Sequence, residues 1–351
     1  MIWALLAAAF YSRTFPRARA LWFSIAIAIS ASCITTGMHS LLDVITGAAL
    51  FFFFDRIGDV WGWLVGRAES IANSWRQWRF GPVRVINHGF YAGAAMFAGA
   101  LIVSLLVGPS MTSGIIIVSS LTILVAGLWG QALEGGSVLS RPFGFYGGII
   151  GGMLALALIW ISGRDPWPLA AAFAAAGPFI QALGRLRCLV QGCCHGSICE
   201  GTRGIRFTGS MSRVNFVAGL SGRELYPVQL YSILWNLGVG IILIKLWLVG
   251  SSHSLICGSY LILNGAGRFV EESYRGEPQT RIVWGLRLYQ WLAIGSVFMG
   301  IAATAVKTAK ASPALVLDWS SFAVALVLAL VVFFAMGVDF PESKRRFSRL
   351  T

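Results

Sequence analysis

The chain has 351 residues, 57% hydrophobic and only 12% charged, with a mean hydropathy of +0.74. A soluble domain carries about 25% charged residues, so this composition excludes an ordinary soluble globular protein and points to the membrane class. The 27 Lys+Arg outnumber the 14 Asp+Glu for a formal charge of +13, but they flank apolar spans with no soluble basic domain, which argues against nucleic acid and for an anionic phospholipid headgroup.

Only four of the basic residues are lysines (Lys245, Lys307, Lys310, Lys344); the other 23 are arginines. Arginine presents a planar fork that grips phosphate in a bidentate way and tolerates burial better than lysine. Six cysteines in a chain this long are too few for a disulfide scaffold.

In chain order, the opening run "MIWALLAAAFYSR" lacks a basic leader and a small-residue cleavage site, so it reads as part of a helix rather than as a signal peptide. Apolar runs long enough to span, or nearly so, follow at 20–36, 41–54, 86–107, 110–131, 146–162, 167–183, 229–249, 252–272, 288–306 and 313–336. A helix needs roughly 20 residues to cross the hydrocarbon, so 41–54 is marginal. Residues 55–84 mix Trp61, Trp63, Trp75 and Trp78 with Arg67, Arg76, Arg79 and Arg84, as an amphipathic helix in the interface does. The glycines of "YGGIIGG" (Tyr146–Gly152) let another helix or a lipid tail approach closely. Residues 190–226 form the longest polar segment, a small extramembrane cap, and "ESKRRFSR" (Glu342–Arg349) is a basic tail.

The stretch "GRLRCLVQGCCHG" (Gly184–Gly196) crowds charge and thiol at the end of a span, and the span 252–272 ends in "GRFVEESYR". Arg268, Glu272 and Arg275 recur there at i, i+4 and i+7 and share one helical face. An arginine one turn inside an apolar span is costly and is a functional candidate by default. The plain alternative is a structural tie between Arg268 and Glu272, with Arg275 snorkelling to the interface. Arg185 at the end of another span tips the balance: two spans deliver guanidinium groups to membrane edges, and phosphate is their natural partner.

Cys188, Cys193, Cys194, His195 and Cys199 are soft donors of the kind zinc takes. Their spacing matches no common zinc pattern, and adjacent cysteines seldom both ligate one ion, so neither metal nor other cofactor is expected. Cys194 reads as a small packing residue by a glycine-rich turn, while Cys199 has a structural pairing as an alternative. Cys33 and Cys257 read as core fillers. Arg185 and Arg187 are expected to lower the thiol pKa of Cys193.

"GRLRCLVQGCCHG" resembles the signature of the bacterial prolipoprotein diacylglyceryl transferase family. Four further stretches are similar to that family's segments in the same order: "FGPVRVINHGFYAG" (Phe80–Gly93), "YGGIIGG", "YPVQLYS" (Tyr226–Ser232) and "GRFVEESYR". The resemblance implies transfer of a diacylglyceryl group from phosphatidylglycerol, or a similar anionic phospholipid, to the lipobox cysteine of a prolipoprotein. It implies a multi-pass protein of the bacterial inner (plasma) membrane. Arg185 and Arg268 would clamp the leaving phosphate, Glu272 would hold Arg268, and Gly192, Cys193, Gly196, Gln229, Tyr231 and Arg275 would line the site. His88 stands where the family has tyrosine and Tyr146 where it has histidine, so either is a candidate proton acceptor. Cys188 and Cys193 replace the family's Asn and Glu, and the Gly-Cys-Cys-x-Gly form resembles a divergent branch.

"SCITTGMHSLLDVITG" (Ser32–Gly47) resembles the last motif of the type-2 phosphatidic acid phosphatase family, with His39 and Asp43 at i and i+4. Cys33 occupies the motif's arginine position and the family's earlier motifs are missing, so this segment reads as a degenerate remnant. The expected fold is an all-α polytopic transmembrane helix bundle. It divides into a phosphatase-like hairpin (1–54), an interfacial linker (55–79), a transferase-like core of seven spans (80–306), and one extra C-terminal span with a basic tail (307–351). Diacylglyceryl transfer is the expected function. A non-catalytic anionic-lipid-binding protein and a phosphatidate phosphatase are the alternatives.

Overall fold

A computed structural model describes residues 2–38, 40–134, 143–199, 204–276, 282–312, 314–343 and 350. His39 and the basic residues 344–349 lie outside them. Two compact units result, Met1–Arg67 and Ala68–Thr351.

The first unit holds α1 (Ile2–Thr14), α2 (Arg19–Thr35), α3 (Leu41–Asp55) and most of α4 (Ile57–Ala72). Leu5, Ala8 and Ala9 of α1 pack with Ala26 of α2 and Phe51 of α3, and Tyr11 stacks on Trp22 with centroids 4.9 Å apart. The opening run is thus helical from Ile2 to Thr14.

In the second unit the segment expected to lie wholly as one amphipathic helix divides. After α4 the chain forms a hairpin, β1 (Gln77–Phe80) and β2 (Val83–Ile86), closed by Gly81-Pro82 with Gly81 at φ 59°. A two-residue connection with glycine at positive φ matches the strand twist, and "WRFGPVRVI" alternates with a strand's period of two rather than a helix's.

Seven helices then follow at the positions of the seven expected core spans. They are α5 (His88–Val107), α6 (Thr112–Glu134), α7 (Phe145–Ile161), α8 (Trp167–Gln191), α10 (Val228–Leu248), α11 (His253–Tyr274) and α12 (Leu288–Thr304). The cap between α8 and α10 holds β3 (Ile205–Arg206), the short α9 (Arg213–Phe216) and β4 (Glu224–Leu225); a hairpin of β5 (Ile282–Val283) and β6 (Leu286–Arg287) precedes α12. The chain ends in α13 (Trp319–Gly337) and β7 (Val338–Asp339), whose strand joins β2.

Among the described residues six helices are long and apolar enough to cross a bilayer, with three shorter apolar ones beside them. The fold is the expected all-α polytopic bundle. The central core is Val103, Ile115, Ala155, Leu169, Leu243 and Ile256, from six different helices. The glycine face of α7 meets α6: a side chain at Gly151 would strike Leu121 and Thr122, so another helix is the close neighbour. The 22-residue α11 is not among the apolar six; it carries His253, Asn264, Arg268, Glu271 and Glu272.

Candidate active site

Burying charge without partners is prohibitive, so helices that carry charge inward must bring their counter-charges with them. The last two turns of α11 hold Arg268, Glu271 and Glu272, all less than 9% exposed, and Arg275 follows at the helix end, 2% exposed. Their i, i+3, i+4, i+7 spacing puts all four on one face. The last turns of α8 bring Arg185, Arg187 and Cys188 to the same place.

Glu271 is the hub. Arg185 Nη2 donates to both of its oxygens (2.7 and 2.9 Å), Arg268 Nη1 donates to Oε1 (2.8 Å), and Arg275 Nη2 donates to Oε1 (2.7 Å). Arg185 Nε also donates to Ser232 Oγ at the start of α10 (2.9 Å). The completely buried Glu272, named from the sequence as the holder of Arg268, lies further off: 3.8 Å from Arg268 Nη2, 3.4 Å from Arg275 Nε and 3.6 Å from Arg287 Nη1. Sequence reading passed over Glu271. Its signal was present, three residues after Arg268 and four before Arg275.

These groups face a cavity of about 380 Å³ whose lining includes Arg185, Arg187, Arg268, Arg275 and the three thiols of Cys188, Cys193 and Cys194. Four guanidinium groups meet two carboxylates, which leaves a surplus of positive charge. Arg187 is 6% exposed; its Nη1 donates to Gln191 Oε1 (2.8 Å), whereas Nε and Nη2 are buried without an acceptor. Arg268 Nε and Arg275 Nη1 are in the same condition. Orphaned buried N–H donors need an acceptor, and an anion with several oxygens suits them. A second cavity of about 410 Å³, lined by Tyr231, Trp235, Asn264 and Tyr274, shares Gln181 and Arg268 with the first.

The turn after α8 closes the first cavity. Gly192 caps the helix at φ 72°, donating to Cys188 O (2.9 Å), and a side chain there would collide with Ser212 Oγ. Gln229 Nε2 donates to the carbonyl of Cys193 (3.0 Å), and Gly196 pairs with Arg275 in an antiparallel bridge. Cys194, expected as a packing residue, instead lines the cavity at φ 58°. The lowered thiol is also Cys194 rather than Cys193. Hydrogen bonds from the thiols of Cys188 and Cys193, then Arg275 and Arg185, hold Cys194 well below the usual thiol range. Cys193 is pushed well above that range by its hydrogen bonds with Cys188 and Cys194 and by burial.

Of the residues named from the sequence, Arg185, Arg268, Arg275 and Cys193 line the first cavity and Tyr231 lines the second. Gln229, Gly192 and Gly196 shape the turn. Tyr146 donates to the carbonyl of Tyr289 (3.1 Å), whose ring centroid lies 5.6 Å from the Arg268 guanidinium. His88 is fully buried against Trp75, 5.3 Å between centroids, and does not line either cavity.

The sequence pattern of the family described as prolipoprotein diacylglyceryl transferase matches residues 78–306. The chain is 29% identical over 158 residues to phosphatidylglycerol–prolipoprotein diacylglyceryl transferase 2 of Clostridium perfringens (strain 13 / Type A), covering 43% of this chain and 59% of that relative. It is 26% identical over 166 residues to the phosphatidylglycerol–prolipoprotein diacylglyceryl transferase of Clostridium tetani (strain Massachusetts / E88), covering 46% and 63%. The matched stretch thus spans under two thirds of either relative's length.

Proposed function

Since the chain belongs to the prolipoprotein diacylglyceryl transferase family, we propose that it transfers a diacylglyceryl group from phosphatidylglycerol, or a closely similar anionic phospholipid, to the cysteine of a prolipoprotein in a bacterial plasma membrane. The observation that carries this reading is the surplus of guanidinium groups in a cavity among apolar helices, with buried N–H donors of Arg187, Arg268 and Arg275 lacking acceptors. A phosphodiester satisfies both the charge and the donors.

The reaction replaces a carbon–oxygen bond with a carbon–sulfur bond. The incoming sulfur attacks the glyceryl CH₂, the C–O bond to phosphate breaks, and its electron pair leaves with glycerol phosphate. Charge therefore grows on the leaving phosphate, where preorganised donors in a water-poor cavity stabilise it most. In this assignment Arg187, Arg268 and Arg275 contact the phosphate, and Arg185 completes the clamp while anchored to Glu271 and Ser232. Glu271 fixes three of the four guanidiniums in one geometry before substrate arrives. Tyr146 is a positioning residue that acts through Tyr289. The apolar groove between α6 and α13 shares Ile123 with the cavity and gives acyl chains a continuous apolar seat.

Complementation tests the reading: the chain restores lipoprotein maturation in a bacterium depleted of its own transferase, and Arg185→Ala does not. Failure of the unaltered chain, when folded in the membrane, overturns it.

A further inference from the structure

The proposed chemistry needs the acceptor sulfur as a thiolate, because the thiol is a poor nucleophile. Neither Tyr146 nor His88 reaches the cavity to take that proton. What the cavity does contain is sulfur. The Sγ atoms of Cys188, Cys193 and Cys194 all lie within 4.8 Å of one another, on the wall shared with Arg185 and Arg275.

We propose that Cys188, Cys193 and Cys194 form a three-thiolate site for a soft divalent metal of the zinc class, whose fourth position opens into the cavity and takes the sulfur of the incoming thiol. The objection from sequence, that neighbouring cysteines seldom share one ion, assumes ordinary backbone, in which successive side chains point apart. Here Cys194 has φ 58° and follows Gly192 at φ 72°. This left-handed turn brings Cys193 and Cys194 round to Cys188 on the last turn of α8. A non-glycine residue persists in that conformation only where its surroundings enforce it, and such residues cluster at ligand sites. A tetrahedral zinc centre with bonds of about 2.3 Å holds its sulfurs about 3.8 Å apart, within the 4.8 Å that bounds the three separations here.

Charge supports the same assignment. Three thiolates and a divalent ion sum to −1, which is less than the surplus of the four guanidiniums over the two carboxylates, so net positive charge remains for a phosphate. The remaining candidates stay out of the cluster: His195 Nδ1 lies 2.9 Å from the carbonyl of Gly196, and Cys199 is buried in the cap with its amide on Glu224 O. Three protein ligands with an exchangeable fourth position mark a catalytic rather than a structural zinc site. The role in transfer rests on the function proposed above. A thiol that coordinates the metal loses its proton outright; the coordinated sulfur attacks the glyceryl CH₂ as the C–O bond breaks toward the guanidinium clamp, and the released proton ends on the phosphate product or water. No redox change occurs.

The test uses the full chain purified in detergent without chelators. Metal analysis should find about one zinc per chain, and cobalt(II) substitution should give the intense sulfur-to-metal bands of a tetrahedral thiolate site. Cys193→Ser and Cys194→Ser should each lose at least about ten-fold in cobalt affinity, whereas Cys199→Ser and Cys257→Ser keep it. A lipobox peptide should shift the cobalt bands, and the same peptide with serine for cysteine should not. If the cysteine variants fail to fold, chelator-stripped unaltered chain titrated with cobalt(II) still gives the stoichiometry, the thiolate bands and the peptide-dependent shift. An unaltered chain that binds neither ion, or Cys193→Ser and Cys194→Ser variants that bind both normally, overturns the site. Metal binding and a peptide-dependent shift without lipid transfer would leave the site standing and remove the proposed function. Transfer undiminished in metal-stripped chain would leave the proposed function standing and overturn the metal's role in it.

Discussion

Glu271 accepts from three arginines at 2.7–2.9 Å, so deleting its charge frees three buried guanidiniums at once. Removing one partner of a buried ion pair costs about 3–5 kcal/mol. Glu271→Gln should therefore destabilise the protein by at least that much and lower transfer at least about ten-fold, measured by thermal unfolding in detergent and by product formation. Arg268→Lys should also lose most activity while the protein stays folded, because an ammonium is a compact point charge without the planar fork that lets one guanidinium edge bond Glu271 while another faces phosphate. Full activity in Arg268→Lys would show that the fork is not used. Arg185, Arg268 and Arg275 were legible in the sequence because arginine inside an apolar span demands an explanation. Glu271 was not, since i+3 and i+4 share one helical face and Glu272 fits the spacing from Arg268 equally well. The thiol cluster was hidden for another reason: it depends on one left-handed residue, Cys194, which no spacing rule announces.

At the scale of elements, the span after residue 306 was legible as a helix but not in its attachment. Helix α13 lies along α5, where a side chain on Gly89 would come within 2.5 Å of Gly337 Cα, and Ala325 and Leu328 pack on Ala100. Just beyond, Asp339 accepts from Arg84 at 2.6 and 2.8 Å, with both residues under 5% exposed. Asp339→Ala removes the carboxylate that Arg84 donates to through Nε and Nη2 and should cost about 3–5 kcal/mol, read as a fall in unfolding temperature. Asp339→Asn should recover part of it. Because α13 also walls the apolar groove with α6, Val327→Trp should raise the KM for phospholipid several-fold with little change in kcat. An unchanged KM would place the acyl chains elsewhere. The β1–β2 hairpin is masked in the sequence by tryptophan and arginine, which suit an interfacial helix equally well, whereas Gly81-Pro82 and the period of two specify a turn between strands.

The whole molecule comprises two compact units, and only the second carries the cluster of arginines. In the first, the resemblance to a phosphatase motif would put Cys33 at the motif's arginine position, so a histidine nucleophile there would lack its phosphate clamp. His39→Ala should leave lipid turnover unchanged; release of inorganic phosphate from phosphatidate that disappears in His39→Ala would revive a phosphatase reading. The membrane class and the places of the longer apolar helices followed from composition and run length, because burying about 20 apolar residues per span leaves a signal no tertiary detail erases. Helices α1, α4 and α9 were not among the expected spans. The decisive measurement is mass spectrometry of a lipobox peptide incubated with the purified chain and phosphatidylglycerol. The account predicts a diacylglyceryl adduct on the peptide's cysteine, with matching release of glycerol phosphate, both abolished in Arg185→Ala. An unmodified peptide in the presence of folded, lipid-bound chain would contradict it.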